Sequence, residues 1–277
     1  MTRPSLDASG VAPGALNPSW SAGAPRTRRR PEEEATPMTR DLTGRTSVVI
    51  GGTSGMGRAV VDALLAAGST VVTTSRDPEG SSAAADLKAA GVRLVRADVT
   101  TPDGLDELVE AVPTVDHLVL SAAGLTYRPF RDFPASDAAG TVDGKLLGYW
   151  NAVHRLAPAL SEHASVVLFS GVASVRPGPG TAAVTAANAG VEGLGRSLAV
   201  ELAPVRVNVL NPGVFETASW AHMEEKEREE FYAETASSLP VGRIGQPEDA
   251  ADAVLFLLTN PQVTGTVLDL DGGARLV

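Results

Sequence analysis

Seven short apolar runs, each separated from the next by a longer stretch, most of helical periodicity, constrain this chain more than any other feature. TSVVIGG (46–52) is followed by GRAVVDALLAAG (57–68), whose apolar residues fall on one helical face and whose last residue is a terminating glycine. TVVTTS (70–75) leads to SSAAADLKAAG (81–91), and VRLVRADV (92–99) to DGLDELVEAV (103–112). DHLVLSAAG (116–124) precedes a long helix expected around 135–160, and SVVLFSG (165–171) precedes a helix over 182–204. VRVNVLNPG (205–213), a helix over 247–259 and GTVLDLDGG (265–273) complete the pattern. Continuous β-branched runs alternating with helices require parallel strands covered on both faces and joined by right-handed crossovers. Nothing repeats at a fixed period. The fold class is therefore α/β: a single Rossmann-type doubly wound parallel sheet over residues 41–277. Ligands of such sheets sit beyond the carboxyl ends of the strands, where strand order reverses.

Residues 1–37 are of another kind, rich in Pro, Ala, Gly and Ser without periodicity. Such a segment buries too little to offset its ordering entropy, so residues 1–40 are expected to be a disordered extension. No apolar stretch follows RTRRRPEEE, so a secretory signal is not expected. Met38, opening MTRDLTG, is an alternative translation start that an intact mass would test. A net charge of −10 argues against nucleic acid or an anionic membrane as partner. There is no cysteine, and His117, His154, His163 and His222 show no ligand spacing, so no metal is expected. Apolar runs such as VLFLL (254–258) fall far short of the roughly 20 residues that span a bilayer. The expectation is a cytoplasmic protein acting on a small molecule.

The segment GGTSGMG (51–57) joins the first strand to the first helix. Gly51, Gly55 and Gly57, with Thr53, Ser54 and Met56 between them, let the backbone turn tightly and approach a pyrophosphate facing the start of a helix. The second strand ends in Ser75 and Arg76. A carboxylate at that tip would bind a ribose 2′-hydroxyl, whereas Ser and Arg favour a 2′-phosphate, so the expected cofactor is NADP(H).

These residues resemble the short-chain dehydrogenase/reductase family, from about residue 41 to 277. IGGTSGMG (50–57) is similar to its T-G-x-x-x-G-x-G segment, with Ile50 in place of Thr. ADV (97–99) matches the adenine-contacting segment, here Asp98 and Val99, and SAAG (121–124) resembles N-N-A-G, keeping Ala123 and Gly124. NPGVFET (211–217) matches the element in which Pro212, Gly213, Val214 and Thr217 would hold the nicotinamide end. Residues 240–273, PVGRIGQPEDAADAVLFLLTN followed by VTGTVLDLDGG, are close to the family's C-terminal signature.

The resemblance also implies a catalytic set, and here the chain departs from it. In that family a Tyr hydroxyl transfers the proton, and a Lys four residues on lowers its pKa and binds the ribose. A Ser orients the carbonyl, and an Asn completes a relay. By motif the Tyr position is Val184, the Lys position is Asn188 and the Asn position is Lys145. The Ser position is Gly171, with Ser170 adjacent as the alternative. Valine has no proton to give. Lysine has left 188 and arrived at 145, so Lys145 is a candidate group beside the nicotinamide ribose. Tyr149, four residues beyond it, and Tyr127, in the loop after SAAG, are candidate replacement acids.

Residues 218–239 lie where the family builds a substrate lid, and Trp220, Met223, Phe231 and Tyr232 give that segment an apolar side. With Phe130 and Phe215 they point to a largely apolar substrate. Three functions remain open: an NADP(H)-dependent oxidoreductase with a displaced or water-borne proton donor, a non-redox isomerase, cyclase or lyase reusing the pocket, and an inactive NADP-binding regulator or partner subunit. The resemblance implies a homodimer or homotetramer.

Overall fold

The computed structural model describes residues 41–277 apart from Pro102 and Ala123. The extension expected over residues 1–40, the alternative start at Met38, and Ala123 of the expected nucleotide site lie outside the described residues.

Strands β1 (Thr46–Ile50), β2 (Thr70–Ser75), β3 (Arg93–Arg96), β4 (Val115–Leu120), β5 (Leu160–Phe169), β6 (Arg206–Pro212) and β7 (Val267–Leu270) form one sheet. Its order is β3-β2-β1-β4-β5-β6-β7, and each neighbouring pair is parallel. Strand order reverses between β1 and β4, which sets the ligand crevice at their carboxyl ends. Helices α1 (Gly55–Ala66), α2 (Ala84–Ala89), α3 (Asp106–Ala111), α4 (Ala135–Val142), α5 (Gly148–Leu156), α6 (Ala182–Glu201), α7 (Glu225–Ser238) and α8 (Pro247–Thr259) surround it.

The pleat divides the strand residues between two cores. Val48, Ile50, Leu118, Leu120, Val166 and Leu168 pack with side chains of α3, α5 and α6. The alternate residues Val49, Val119, Val167 and Phe169 pack with α1 and α8. Because both faces are covered, every residue of β4 is buried. A strand of this kind cannot show the polar alternation of a half-exposed sheet. Helix α8 starts where its sequence says it should: Pro247 opens the first turn, and Asp249 accepts the Gln246 N–H at 2.8 Å.

The helix expected around 135–160 is interrupted. After α4 the chain forms one π turn, Asp143–Leu147, before continuing as α5 and ending in a 3-10 turn at Ala157–Ala159. Gly148 is required where the helix resumes, since a Cβ there would stand 2.7 Å from Val99 Cγ2. Wide turns of this sort insert one residue into a helix and re-aim the side chain they carry. Here that side chain is Lys145. Strand β5 also begins earlier than its apolar run, at Leu160. Among the described residues no helix is long and apolar enough to cross a membrane.

Candidate active site

The glycine segment after β1 packs directly on the loop after β4. Gly51 has a φ of 96°, and a Cβ on it would lie 2.5 Å from the Ala122 nitrogen. A Cβ on Gly57 would lie 2.1 Å from the Gly51 carbonyl oxygen, so neither position accepts a side chain. Ser54 stands at the N-cap of α1 in extended geometry, its side chain makes no capping bond, and the first turn holds no acidic residue. The opening N–H groups of the helix are thereby left without a side-chain cap, an arrangement that suits a phosphate. Gly55, at φ 54°, faces Thr217, whose Cβ would be 3.4 Å from an added Cβ. The fold thus brings Thr53–Gly57 against the segment that runs from Pro212 to Thr217. Pro212 closes β6, and Gly213 lies against the Asp271 backbone, with a Cβ position 2.9 Å from its Cα. The Val214 carbonyl accepts the Gly245 N–H at 2.9 Å. This cradle fits a dinucleotide.

At the tip of β2 the Ser75 hydroxyl donates to the Asp77 carbonyl at 2.9 Å and accepts the Asp77 N–H at 3.1 Å. Arg76 is exposed, and Arg96 donates to its carbonyl at 2.8 Å, because β3 sets Arg96 in register with Ser75. Two guanidinium groups therefore flank this tip. Asp98 accepts the Thr100 hydroxyl at 2.6 Å and the Thr100 N–H at 2.9 Å on the same oxygen. Those bonds hold its carboxyl below the usual range, with Arg76 adding a smaller effect. Val99 packs on Gly148, and its carbonyl accepts the Asn151 amide at 3.1 Å. The Gly124 carbonyl lies 3.9 Å from the Cβ position of Gly144, so this loop borders the π turn.

Beyond that turn lies a buried polar cluster. Lys145 is only 3% exposed, and its Nζ donates to the Ser170 carbonyl at 2.8 Å. The Ser170 hydroxyl donates to Glu192 Oε1 at 2.7 Å. Asn188 donates from Nδ2 to the Gly171 carbonyl at 3.2 Å, while its buried Oδ1 has no partner in the chain. An orphaned acceptor at this place suits a ligand hydroxyl. A Cβ on Gly171 would stand 2.8 Å from Asn188 Nδ2, so glycine at 171 and asparagine at 188 fit each other. Val184 is buried one turn before Asn188, on the same face of α6. Burial pushes the Lys145 amine down to about 7, opposed by the charge of Glu192.

The structure brings Lys145, Ser170 and Asn188 together, and no hydrogen bond joins the Tyr149 hydroxyl to them. Tyr149 is a correction to the sequence reading. It is fully buried as the first residue of α5's apolar stripe with Ala152, Val153 and Leu156. Its hydroxyl has no partner, and burial raises its pKa far above the ordinary value. A phenol so placed holds its proton. Phe215, read as substrate-facing, instead packs under Gly245 in the core on the α1 and α8 side. Tyr127 and Phe130 are exposed. In the expected lid, Trp220 and Phe231 meet with rings tilted by 45° and centroids 4.8 Å apart, and Trp220 Nε1 donates to the Phe215 carbonyl at 3.0 Å. Helix α7 has no fully buried side chain.

Two residues escaped the sequence reading. Glu192 could have been found, because Val184, Asn188 and Glu192 recur at four-residue spacing on one helix. Arg96 could not, because its place beside Arg76 depends on strand register. Among the described residues no cluster of three or more His, Asp or Glu could hold a metal.

Residues 50–275 match a family model described as enoyl-(acyl carrier protein) reductase. Carbonyl reductase family member 4 of Danio rerio is 32% identical over 245 aligned positions, with 84% of this chain and 99% of that protein covered. A 3-oxoacyl-(acyl-carrier-protein) reductase of Aquifex aeolicus (strain VF5) is 30% identical over 248 residues, covering 84% and 98%. Among solved structures, an NADPH-bound short chain oxidoreductase from Pseudomonas aeruginosa PAO1, described as containing an atypical catalytic center, superimposes with a TM-score of 0.77. It is 30% identical, with 84% of this chain and 98% of that chain covered.

Proposed function

Because the chain belongs to the short-chain dehydrogenase/reductase family, we propose that it is an NADP(H)-dependent oxidoreductase with Lys145 as its proton donor. It interconverts a carbonyl and an alcohol on a largely apolar small molecule. The observation that carries this reading is the Lys145 amine, buried at the end of β5 and hydrogen-bonded to Ser170. The NADPH-bound relative and the two reductases support the cofactor and the reaction class. The other two readings, a non-redox enzyme and an inactive subunit, have less support, since these relatives are named as reductases or an oxidoreductase.

When bound, the nicotinamide nucleotide supplies the hydride in the reducing direction. Gly51, Gly55, Gly57 and the start of α1 hold its phosphates, and Ser75, Arg76 and Arg96 select a 2′-phosphate. Asp98 and Val99 bound the adenine side. Pro212, Gly213, Val214 and Thr217 bound the nicotinamide side with Gly124, and Asn188 Oδ1 accepts a ribose hydroxyl. As the carbonyl bond's electron pair moves to oxygen, a Lys145 N–H bond breaks and an O–H bond forms. The amine then regains a proton from solvent. Val184 only packs.

Reduction needs the ammonium form, so kcat should fall as pH rises through about 7. The slope should be about tenfold per pH unit for one ionising group. The test is calorimetric titration with NADPH and NADH, then NADPH consumption with a 3-oxobutanoyl thioester and an apolar ketone. Lys145→Met should lose about two to four orders of magnitude in turnover while still binding NADPH. Unchanged turnover in that variant would remove Lys145 from the chemistry. The same reading includes a cytoplasmic homodimer or homotetramer assembled through α5 and α6. Its support is the exposure of Leu147 at the end of the π turn, of Trp150 on α5 and of Val200 on α6.

A further inference from the structure

A buried ammonium needs an opposite charge, and the one acting on Lys145 comes from α6. Glu192 reaches it through a single residue. Lys145 Nζ donates a hydrogen bond to the Ser170 carbonyl at 2.8 Å, and the Ser170 hydroxyl donates one to Glu192 Oε1 at 2.7 Å. Lys145, Ser170 and Glu192 are 3%, 4% and 8% exposed, so water does little to screen this line of groups. Asp143, on the π turn itself, is exposed to solvent. The Ser170 hydroxyl also lies 3.4 Å from the Asn188 carbonyl, which fixes the residue between α6 and the end of β5.

We propose that Glu192 is a positioning residue for the reaction, acting through Ser170 to hold Lys145 at the end of β5 in its charged form. The inference rests on Lys145 as proton donor. It assigns the arrival of lysine at 145 a counter-charge on the opposite wall, four residues beyond the position that lysine has left. Removing the carboxylate leaves burial unopposed, and burial favours the neutral amine. The amine should then lose its proton at lower pH.

The experiment is an NMR titration of the Lys145 side-chain ε-carbon in the full chain without nucleotide, with Lys145→Met identifying the signal. The natural protein should titrate near 7, and Glu192→Gln should titrate lower by about a unit. Glu192→Asp, which keeps the charge, should recover most of the difference. In turnover of the 3-oxobutanoyl thioester with NADPH, Glu192→Gln should move the fall in kcat to lower pH by the same amount. A packing role alone would lower the amount of folded protein and leave both pH midpoints in place. An unmoved Lys145 titration in folded Glu192→Gln would overturn the inference. If Glu192→Gln does not fold, Glu192→Ala removes the same charge, and an unmoved midpoint there counts equally against it. The two readings fail separately. Turnover surviving in Lys145→Met sinks the proton-donor reading, whereas a dead Lys145→Met with an unmoved Glu192→Gln midpoint sinks only the role of Glu192.

Discussion

Arg76 and His117 show how single residues in this chain tie charge to measurable behaviour. Arg76 is exposed at the tip of β2 with Arg96 beside it. A charge-assisted hydrogen bond is worth about 1.5–3 kcal/mol, so Arg76→Ala should weaken NADPH binding about tenfold or more and leave NADH unchanged. Calorimetry of both nucleotides reads that ratio directly. His117 lies on β4 with both ring nitrogens unpartnered. Burial pushes it from 6.5 to about 4, against the opposing charge of Asp116. Between those values the unfolded chain binds the extra proton, so folding stability rises with pH across this window. The stability is fully present above about 6.5 and is lost as pH falls toward 4, by about 3 kcal/mol in all. In urea unfolding, His117→Leu should flatten that slope.

Elements differ in how openly their sequence declares them. The strands, the glycine turn and α8 were legible, because buried runs, turn glycines and a proline-led first turn each have one physical cause. The π turn was not. DGKLLG (143–148) has ordinary helical composition, and its widening depends on what Gly148 must fit beside in the finished fold. Tyr149 was misread for a related reason. Spacing places it near Lys145, but only packing reveals that the α5 stripe begins at Tyr149 itself. Gly148→Ala should therefore cost about 1–3 kcal/mol, because the added methyl must displace Val99. Circular dichroism and urea midpoints would register the loss. A midpoint unchanged within error would mean that Val99 yields freely.

At the scale of the whole molecule, the parallel sheet gathers segments remote in sequence along one edge. The nucleotide half of the candidate site was readable because each of its motifs is a turn of fixed shape. The chemical half was not readable as a single motif, since its contacts join the π turn, the end of β5 and α6. Assembly belongs to this scale too. If the exposed Leu147 and Trp150 meet another copy, Trp150→Glu should shift the mass in solution toward a monomer, measured by light scattering. A mass unaltered from the natural protein would place the contact elsewhere. The fit of Gly171 to Asn188 makes one unit of two segments 17 residues apart. A Cβ added at 171 presses on the Asn188 amide, so a change at either position is felt at the other, and substitutions at the two should act as one coupled variable whose separate effects do not add.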